Sequence, residues 1–390
     1  MRDPRLDKLA EVLIHYSTQV KPGQVVRLTA DPVAMPLIEA IYEHLVKAGA
    51  HVALRIAPAS FQPIFFAHAS DDQLTHVSPL AMQEVETIDA SIGLWAETNT
   101  KALTNVDPAR QSKNSSARKP IFKVFMERAA AADDPAGHPG VKPLKWVGTL
   151  FPTQASAQDA EMSLTEYEDF VFNAGHLDKP DPVAEWRKIH ERQQKLTDYL
   201  NAGRKQLHFK TPAGTDLRVN IEGMRWINCS GECNFPDGEV FTGPNLKAAD
   251  GGVNGVVKYS FPAVHGGREV HDIQLTFEKG RVVDAKASRN LDFLLQMLDQ
   301  DAGARNLGEI AIGTNYNIKR YTKNTLFDEK IGGTFHAAVG AGYPETGNNN
   351  ESGLHWDMVC DLRQGGTIAV DGEVISQSGR FLDPAYPGNE

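Results

Sequence analysis

The segment VVRLTADPVAMPLIEAIYEHLVKAGAHVALRI, residues 25–56, decides the fold of the first half of the chain. Its apolar run Val25–Leu28 predicts a strand. Asp31-Pro32 is a helix start and Gly49 is a helix stop, with apolar residues spaced three and four apart between them. His51–Ile56 predicts a second strand. A strand, a helix and a strand in this span imply a parallel pair with a right-handed crossover.

The alternation continues towards residue 180, with predicted strands over 90–94 and 145–150, a helix ending near residue 85 and another over 120–131. This pattern predicts an open α/β sheet over residues 1–180. A proline-rich boundary, 178–182, precedes a polar-faced helix over about 183–201.

The second half has a different pattern, in which short strands are separated by turns. Predicted strands occupy 207–210, 216–221, 256–261, 273–278 and 281–285, and Asp371-Gly372 predicts a hairpin. We therefore predict an α/β plus α+β protein: an N-terminal α/β domain, 1–180, and a mixed, largely antiparallel C-terminal domain, 181–390, that carries the functional site.

The composition argues against two classes of binding partner, nucleic acids and membranes. The 390 residues carry 50 acidic and 40 basic side chains, a formal net charge of −10, which argues against nucleic acid as a partner. No run reaches the about 18–20 apolar residues of a membrane span, so we expect no membrane partner. The charged N-terminus lacks a secretory core, and three cysteines cannot pair completely, so we expect a reducing cytoplasm.

Residues 353–359 supply the first candidate site. The segment alternates, and residues two apart in a strand share a face, so His355 and Asp357 are expected to point the same way. Leu354, Trp356 and Met358 would then pack on the other face. An imidazole beside a carboxylate suits a divalent transition metal. A solvent-facing strand edge is the alternative.

Three further side chains are candidates on their local sequence. Glu309 interrupts an apolar strand and, if buried, needs a cation; exposure on an edge strand is the alternative. Glu239 follows a Pro-Asp-Gly turn, where a glutamate is usually solvated. His336 follows two glycines, where a hydrogen-bonded structural role is common.

Together these five side chains provide three carboxylates and two imidazoles, the ligand supply that a two-metal hydrolytic site needs. The pattern alone does not require that they meet.

The chain resembles the aminopeptidase T family of metallopeptidases nearly end to end. The resemblance is carried by Lys21-Pro22-Gly23, Asp31-Pro32, Pro36-Leu37, Ala48-Gly49-Ala50, the stretches 106–110, 162–167 and 235–242, and His355-Trp356-Asp357.

The resemblance implies a metal-dependent aminopeptidase, acting on peptides with a free N-terminus, as a homodimer with two divalent ions. It implies metal ligands at Glu239, Glu309, His336, His355 and Asp357, and it matches Glu329 and Tyr343 to a further family glutamate and tyrosine.

Roles follow from chemistry on those positions. We expect Asp357 to bridge the two ions, Glu329 to serve as general base and acid, and Tyr343 to donate to the oxyanion. A solvated turn at Glu329 and core packing at Tyr343 are the alternatives. The carboxylate-rich set accepts Zn²⁺, Co²⁺, Mn²⁺ or Mg²⁺.

Three other functions are possible for a chain of this kind. A nucleotide-dependent α/β enzyme lacks support, because the connection after the first strand has no glycine-rich phosphate motif. A non-catalytic peptide- or metal-binding protein on the same scaffold remains open. Serine hydrolysis is disfavoured because no G-x-S-x-G occurs.

Overall fold

The structure is a computed structural model that describes residues 2–389. Its α-helices, in chain order, are α1 Pro4–Glu11, α2 Met35–Lys47, α3 Phe61–His68, α4 Asp71–Thr75, α5 Pro79–Thr87, α6 Pro108–Asp133, α7 Gln154–Asp159, α8 Leu164–Ala174, α9 Pro182–Asn201, α10 Leu291–Leu298 and α11 Thr325–Asp328. A π-helical turn, Val12–Ser17, extends α1, and 3-10 turns occupy Pro32–Ala34 and Pro344–Thr346. Among these residues, none of the helices has both the length and the apolar character needed to cross a bilayer.

The strands follow in chain order. They are β1 Val25–Ala30, β2 His51–Ile56, β3 Ala90–Trp95, β4 Lys145–Leu150, β5 Gln206–Lys210, β6 Asp216–Asn220, β7 Ile227–Cys229, β8 Asn234–Phe235, β9 Glu239–Thr242, β10 Val253–Lys258, β11 Ala263–His265, β12 Arg268–Val270, β13 Gln274–Glu278, β14 Arg281–Lys286, β15 Leu307–Gly313, β16 Thr334–Gly340, β17 His355–Trp356, β18 Val359–Asp361, β19 Thr367–Val370, β20 Glu373–Gln377 and β21 Arg380–Phe381.

The chain forms two compact units. The first contains residues 1–183 and 231–235, and the second contains 184–230 and 236–390. The short segment 231–235 therefore joins the first unit although it follows the long helix α9, which a single boundary does not anticipate. The division into domains at residue 180 remains a proposal.

The first unit is built on a parallel sheet with the strand order β2-β1-β3-β4-β8. Val26 and Leu28, which share one face of β1, are fully buried, whereas Val25 and Arg27 on the other face are partly exposed. Asp31 accepts a hydrogen bond from the backbone N–H of Val33 at 2.8 Å and so caps the turn that leads into α2. The predicted α/β fold class is confirmed.

Helix α6 is longer than the sequence indicates. It begins at Pro108, not near residue 120, because Asp107 caps it by accepting from Ala109 at 2.8 Å. Pro120 lies inside the helix, where the proline was predicted to mark a start. Tertiary packing therefore overrides the local signal of a proline.

The second unit holds two larger antiparallel sheets. One has the order β14-β13-β10-β6-β5-β19-β20-β21, and the other has the order β17-β16-β15-β9-β7, with β18 also paired to β16. The rings of Phe209 in β5 and Phe335 in β16 stack at 4.1 Å between centroids, so the two sheets pack face to face. The predicted strand over 256–261 is displaced to 253–258.

The predicted hairpin turn at Asp371-Gly372 lies between β19 and β20, and both residues have positive φ, 51° and 89°. This is the backbone that an Asp-Gly turn favours.

Two central strands of the second sheet, β15 and β16, are buried along their whole length. One face of them, including Ile310, Ile312 and Phe335, enters the core between the sheets. Since side chains alternate along a strand, Glu309 and His336 occupy the opposite face. The fold thus places polar side chains on the buried face of this sheet that is opposite to the core between the sheets.

Candidate metal centre

Glu239 is the first residue of β9 and directly follows a tight turn. Gly238 has a φ of 128°, a backbone conformation suited to glycine, and its carbonyl accepts from the N–H of Thr314 at 2.8 Å. The turn therefore holds Glu239 against β15. Glu239 is only 6% exposed. The alternative of a solvated turn-flanking glutamate is wrong.

Glu309 owes its direction to an irregularity in β15. The pairing of β15 with β16 shifts register between Leu307 and Glu309, which leaves Gly308 as the extra residue of a β-bulge. A Cβ at Gly308 would overlap the carbonyl oxygen of Ala341. Because β15 is paired on both sides, to β9 and β16, the alternative of an exposed edge strand is wrong for Glu309.

The two histidines are oriented in the same way. His336 Nδ1 lies 3.0 Å from the carbonyl oxygen of Glu329, and His355 Nδ1 lies 2.9 Å from that of Ala341. Each Nδ1–H donates to a backbone carbonyl, so each Nε2 faces the carboxylates. This arrangement is the one that orients histidine ligands in metalloproteins.

The alternating segment 353–359 is divided in the structure. His355-Trp356 forms β17, and the chain resumes pairing with β16 only at Val359. Leu354, Trp356 and Met358 are buried in the core. His355 and Asp357 face the other way, with 3.4 Å between Nε2 and Oδ1, although Asp357 itself lies outside a strand.

The five predicted side chains converge. Glu309 lies between the histidines: its Oε1 is 3.2 Å from Nε2 of His336 and its Oε2 is 3.3 Å from Nε2 of His355. Glu239 Oε2 is 3.4 Å from Nε2 of His336, and Asp357 Oδ1 is 3.9 Å from it. Three sets of ligand atoms, each within 4.8 Å of one another, can hold an ion: Glu239, Glu309 and His336; Glu309, His355 and Asp357; and Glu329, His336 and Asp357.

One buried atom indicates that a cation belongs here. Oε2 of Glu239 is buried and has no hydrogen-bond donor. An unsatisfied buried carboxylate oxygen is costly, and a divalent ion would satisfy it. Carboxylate oxygens and imidazole nitrogens are suitable donors for zinc and its neighbours, so these residues fit a metal.

The buried acidic and imidazole groups of the cluster have strongly shifted pKa values. Burial raises the pKa of Glu239 to about 8. Burial also acts to lower the pKa of His336, but Glu309 and Glu239 outweigh it and raise the pKa to about 10. For Asp357, burial acts to raise the pKa, yet the neighbouring His355 holds it well below its usual range. Protonated histidines therefore supply the positive charge that bound metal ions would otherwise supply to the carboxylates.

Glu329 and Tyr343 border the same cluster. Glu329 ends helix α11, its side chain is 14% exposed, and it belongs to one of the three ion-holding sets. Its solvated alternative is therefore wrong. The Tyr343 ring lies edge-on to the ring of His355, with 5.2 Å between centroids, and burial raises the pKa of its hydroxyl well above the usual range.

Lys330 was missed by the sequence reasoning, which gave it no role. Its side chain is fully buried, with Nζ 2.9 Å from Oε1 of Glu239, in contact with Glu329, and 3.7 Å from Asp237. Burial acts to lower the pKa of this ammonium, and the three carboxylates raise it well above its usual value. No local pattern marks a buried lysine, because only the tertiary fold supplies its partners.

The fold and the carboxylate–histidine cluster define the chain as a metal-dependent enzyme. It belongs to the thermophilic metalloprotease (M29) family, whose model matches residues 2–381.

Sequence similarity to named relatives covers most of the chain. It is 29% identical to aminopeptidase 2 of Geobacillus stearothermophilus, over 90% of this chain and 86% of the relative. It is also 29% identical to aminopeptidase T of Thermus thermophilus, over 89% and 87% of the two chains. The solved structure of wild-type AmpT from Thermus thermophilus superposes with a TM-score of 0.81 at 25% identity, covering 97% of this chain and 99% of that one.

A second solved structure is similar in fold alone. The 2,5-dihydroxypyridine dioxygenase of Pseudomonas putida KT2440 has a TM-score of 0.59 at 14% identity, over 97% of each chain. The scaffold is therefore not restricted to one chemistry, and the function must be argued from the site.

Proposed function

We propose that this metalloprotease is an aminopeptidase that hydrolyses the N-terminal peptide bond of peptides with two divalent ions. The aminopeptidase class is supported by the family and by the relatives that carry that name. The observation that carries the two-ion proposal is the position of Glu309, whose two oxygens each face a different histidine.

The geometry supports one division of the ligands. Glu239, Glu309 and His336 would hold one ion, and Glu309, His355 and Asp357 would hold the other. We therefore assign the bridging position to Glu309. The expectation that Asp357 bridges is less well supported, since its Oδ1 lies 3.4 Å from Nε2 of His355 but 3.9 Å from Nε2 of His336.

Charge balance supports the same number of ions. The cluster holds the carboxylates of Asp237, Glu239, Glu309, Glu329 and Asp357, and the buried ammonium of Lys330 contacts the first, second and fourth of them. If all five are ionised and both histidines are neutral, two divalent cations bring the cluster to neutrality. A buried cluster is most stable near neutrality, because isolated charge is costly in a low-dielectric interior.

The chemistry divides between the ions and the side chains. Bound divalent ions lower the pKa of a coordinated water and polarise a carbonyl oxygen. Glu329 borders the ligand set, which supports a role in which it accepts the proton of the attacking water and returns it to the leaving amine. The Tyr343 hydroxyl donates to the oxygen that gains negative charge at the scissile carbonyl.

The substrate class follows from the family. The relatives are named aminopeptidases, and an aminopeptidase acts on peptides with a free N-terminus. Zn²⁺, Co²⁺, Mn²⁺ and Mg²⁺ are all compatible with the donor set. The family resemblance and the composition further support a cytoplasmic homodimer without nucleic-acid or membrane partners.

The test compares a free amine with a blocked one. Purified protein is stripped with a chelator, reloaded with Zn²⁺, Co²⁺ or Mn²⁺, and assayed on an aminoacyl anilide and on its N-acetylated counterpart. We expect turnover of the free-amine substrate only, dependent on the added ion. Equal turnover of the acetylated substrate would indicate an endopeptidase or a general amidase. Binding of peptide without any turnover would favour the non-catalytic alternative.

A further inference from the structure

Lys330 is a buried cation in contact with residues of the candidate metal centre. Its side chain has no exposure, and an ammonium has three N–H donors and no acceptor. Two of its neighbours are within hydrogen-bond reach, Oε1 of Glu239 at 2.9 Å and Oε1 of Glu329, while Asp237 Oδ1 at 3.7 Å is an ion-pair partner. The lysine therefore contacts one oxygen of a metal ligand and one oxygen of the proposed base.

The backbone fixes this placement. The N–H of Asn315 donates to the carbonyl of Lys330 at 3.0 Å, and the side-chain amide of Asn315 donates to the carbonyl of Asp237 at 2.8 Å. One asparagine thus joins the chain at Lys330 to the turn that leads into Glu239. The contact between Lys330 and Glu239 is a consequence of the fold and not of a flexible side chain reaching inward.

The two oxygens of Glu239 have different environments. Oε1 accepts from Lys330, whereas Oε2 is buried without a donor and lies 3.4 Å from Nε2 of His336. A carboxylate held by one oxygen cannot rotate freely, so its other oxygen has a fixed direction. Outer partners of this kind typically orient ligands in metal sites.

We propose that Lys330 is a positioning residue of the metal centre: by holding Oε1 of Glu239 it presents Oε2 as the single ligand oxygen for the ion next to His336, and with the same ammonium it fixes Glu329. The inference rests on the proposed two-ion function. It is specific to one of the two ions, because Lys330 contacts none of His355, Asp357 or Glu309 in the described chain.

The test measures the affinity for each ion separately. Chelator-stripped protein is titrated with Co²⁺ against a competing chelator, for the wild type, for Lys330→Met and for Lys205→Met, a lysine whose side chain is 65% exposed. Methionine keeps an unbranched side chain of nearly the same length and removes the charge and the donors. We expect binding of one ion to weaken by about 10–100-fold in Lys330→Met, binding of the other to remain, and Lys205→Met to match the wild type.

The outcomes separate the inference from the function. Unchanged binding of both ions in Lys330→Met, or equal weakening of both, overturns the positioning role. Failure of the wild type to bind metal or to cleave peptides overturns the proposed function instead.

A second measurement does not depend on the variant folding. In a crystal structure of the Zn²⁺-loaded wild type, Glu239 should bind through Oε2 alone, with Lys330 Nζ still on Oε1. Bidentate binding by Glu239, or Lys330 turned away from it, would contradict the proposal.

Discussion

Glu309 and His336 face each other as diagonal neighbours on adjacent antiparallel strands, with 3.2 Å between Oε1 and Nε2. They are 27 positions apart in the chain, and each lies on a strand that is buried on both faces. A buried carboxylate next to a buried imidazole, on the back of an apolar sheet, is costly to maintain without a function. This pair lies at the centre of the proposed metal site.

Glu309→Ala should abolish hydrolysis of aminoacyl anilides while the protein remains folded. The carboxylate contributes to both proposed ion sites, so its loss should weaken metal binding by more than the about 10–100-fold typical of a supporting residue. Metal content and turnover are measured together. Glu278→Ala, at an exposed strand position, is the matched control. Wild-type turnover in Glu309→Ala would remove this residue from the site.

Glu329→Gln should lower kcat by about 10²–10⁴-fold and leave the metal content unchanged, because the amide keeps the shape of the side chain and cannot accept a proton. Single-turnover kinetics on metal-replete protein provide the measurement. A loss of activity that parallels a loss of metal would assign Glu329 to the ligands instead of to proton transfer.

Tyr343→Phe should reduce kcat by about 10²–10³-fold with little change in KM, as expected for a donor that acts mainly in the transition state. Tyr386→Phe removes a hydroxyl from a partly buried ring elsewhere in the second unit and serves as the control. Equal activity of the two variants would restrict Tyr343 to packing against Phe241 and His355.

The metal-free protein should lose stability as the pH rises. The pKa of His336 is raised from 6.5 to about 10, so the stability it contributes is complete below pH 6.5 and is lost as the pH passes about 10. The pKa of Glu239, raised from 4.5 to about 8, acts in the same direction between those values. The melting temperature of chelated protein should therefore fall between about pH 6.5 and 10. Metal-loaded protein should show a smaller fall, and identical profiles would contradict the assignment of these residues as ligands.

Gly308→Ala should weaken metal binding and lower stability, since a Cβ there would overlap the carbonyl oxygen of Ala341 and displace the bulge that aims Glu309. Gly93→Ala is a suitable comparison because a Cβ at Gly93 meets no atom within 4 Å. Melting temperature and metal affinity are compared for both. A Gly308→Ala protein that binds metal as tightly as the wild type would show that the bulge is not needed.

The sequence predicted the parts of this molecule that depend on local pattern. Alternating strand and helix signals around Asp31 and Gly49 predicted the parallel sheet, and the period of two around His355 predicted the shared direction of His355 and Asp357. Glu309 was recognisable because a carboxylate inside an apolar strand needs a cation.

The remainder depends on tertiary contacts. The bulge at Gly308 follows from the approach of Ala341, and the burial of Lys330 follows from carboxylates up to 93 positions away in the chain. Neither the bulge nor the burial of Lys330 produces a periodic pattern in the sequence. The start of α6 at Pro108 was missed because Pro120 lies within a continuing helix. Bridging by Glu309 became arguable only from the distances to both histidines.

The most direct test is a stoichiometric titration of chelator-stripped protein with Co²⁺, with metal bound and anilide hydrolysis measured on the same samples. We expect no activity without metal and maximal activity at two bound ions per chain. Full activity in protein verified to be metal-free, or maximal activity with a single bound ion, would contradict the two-ion centre around Glu309.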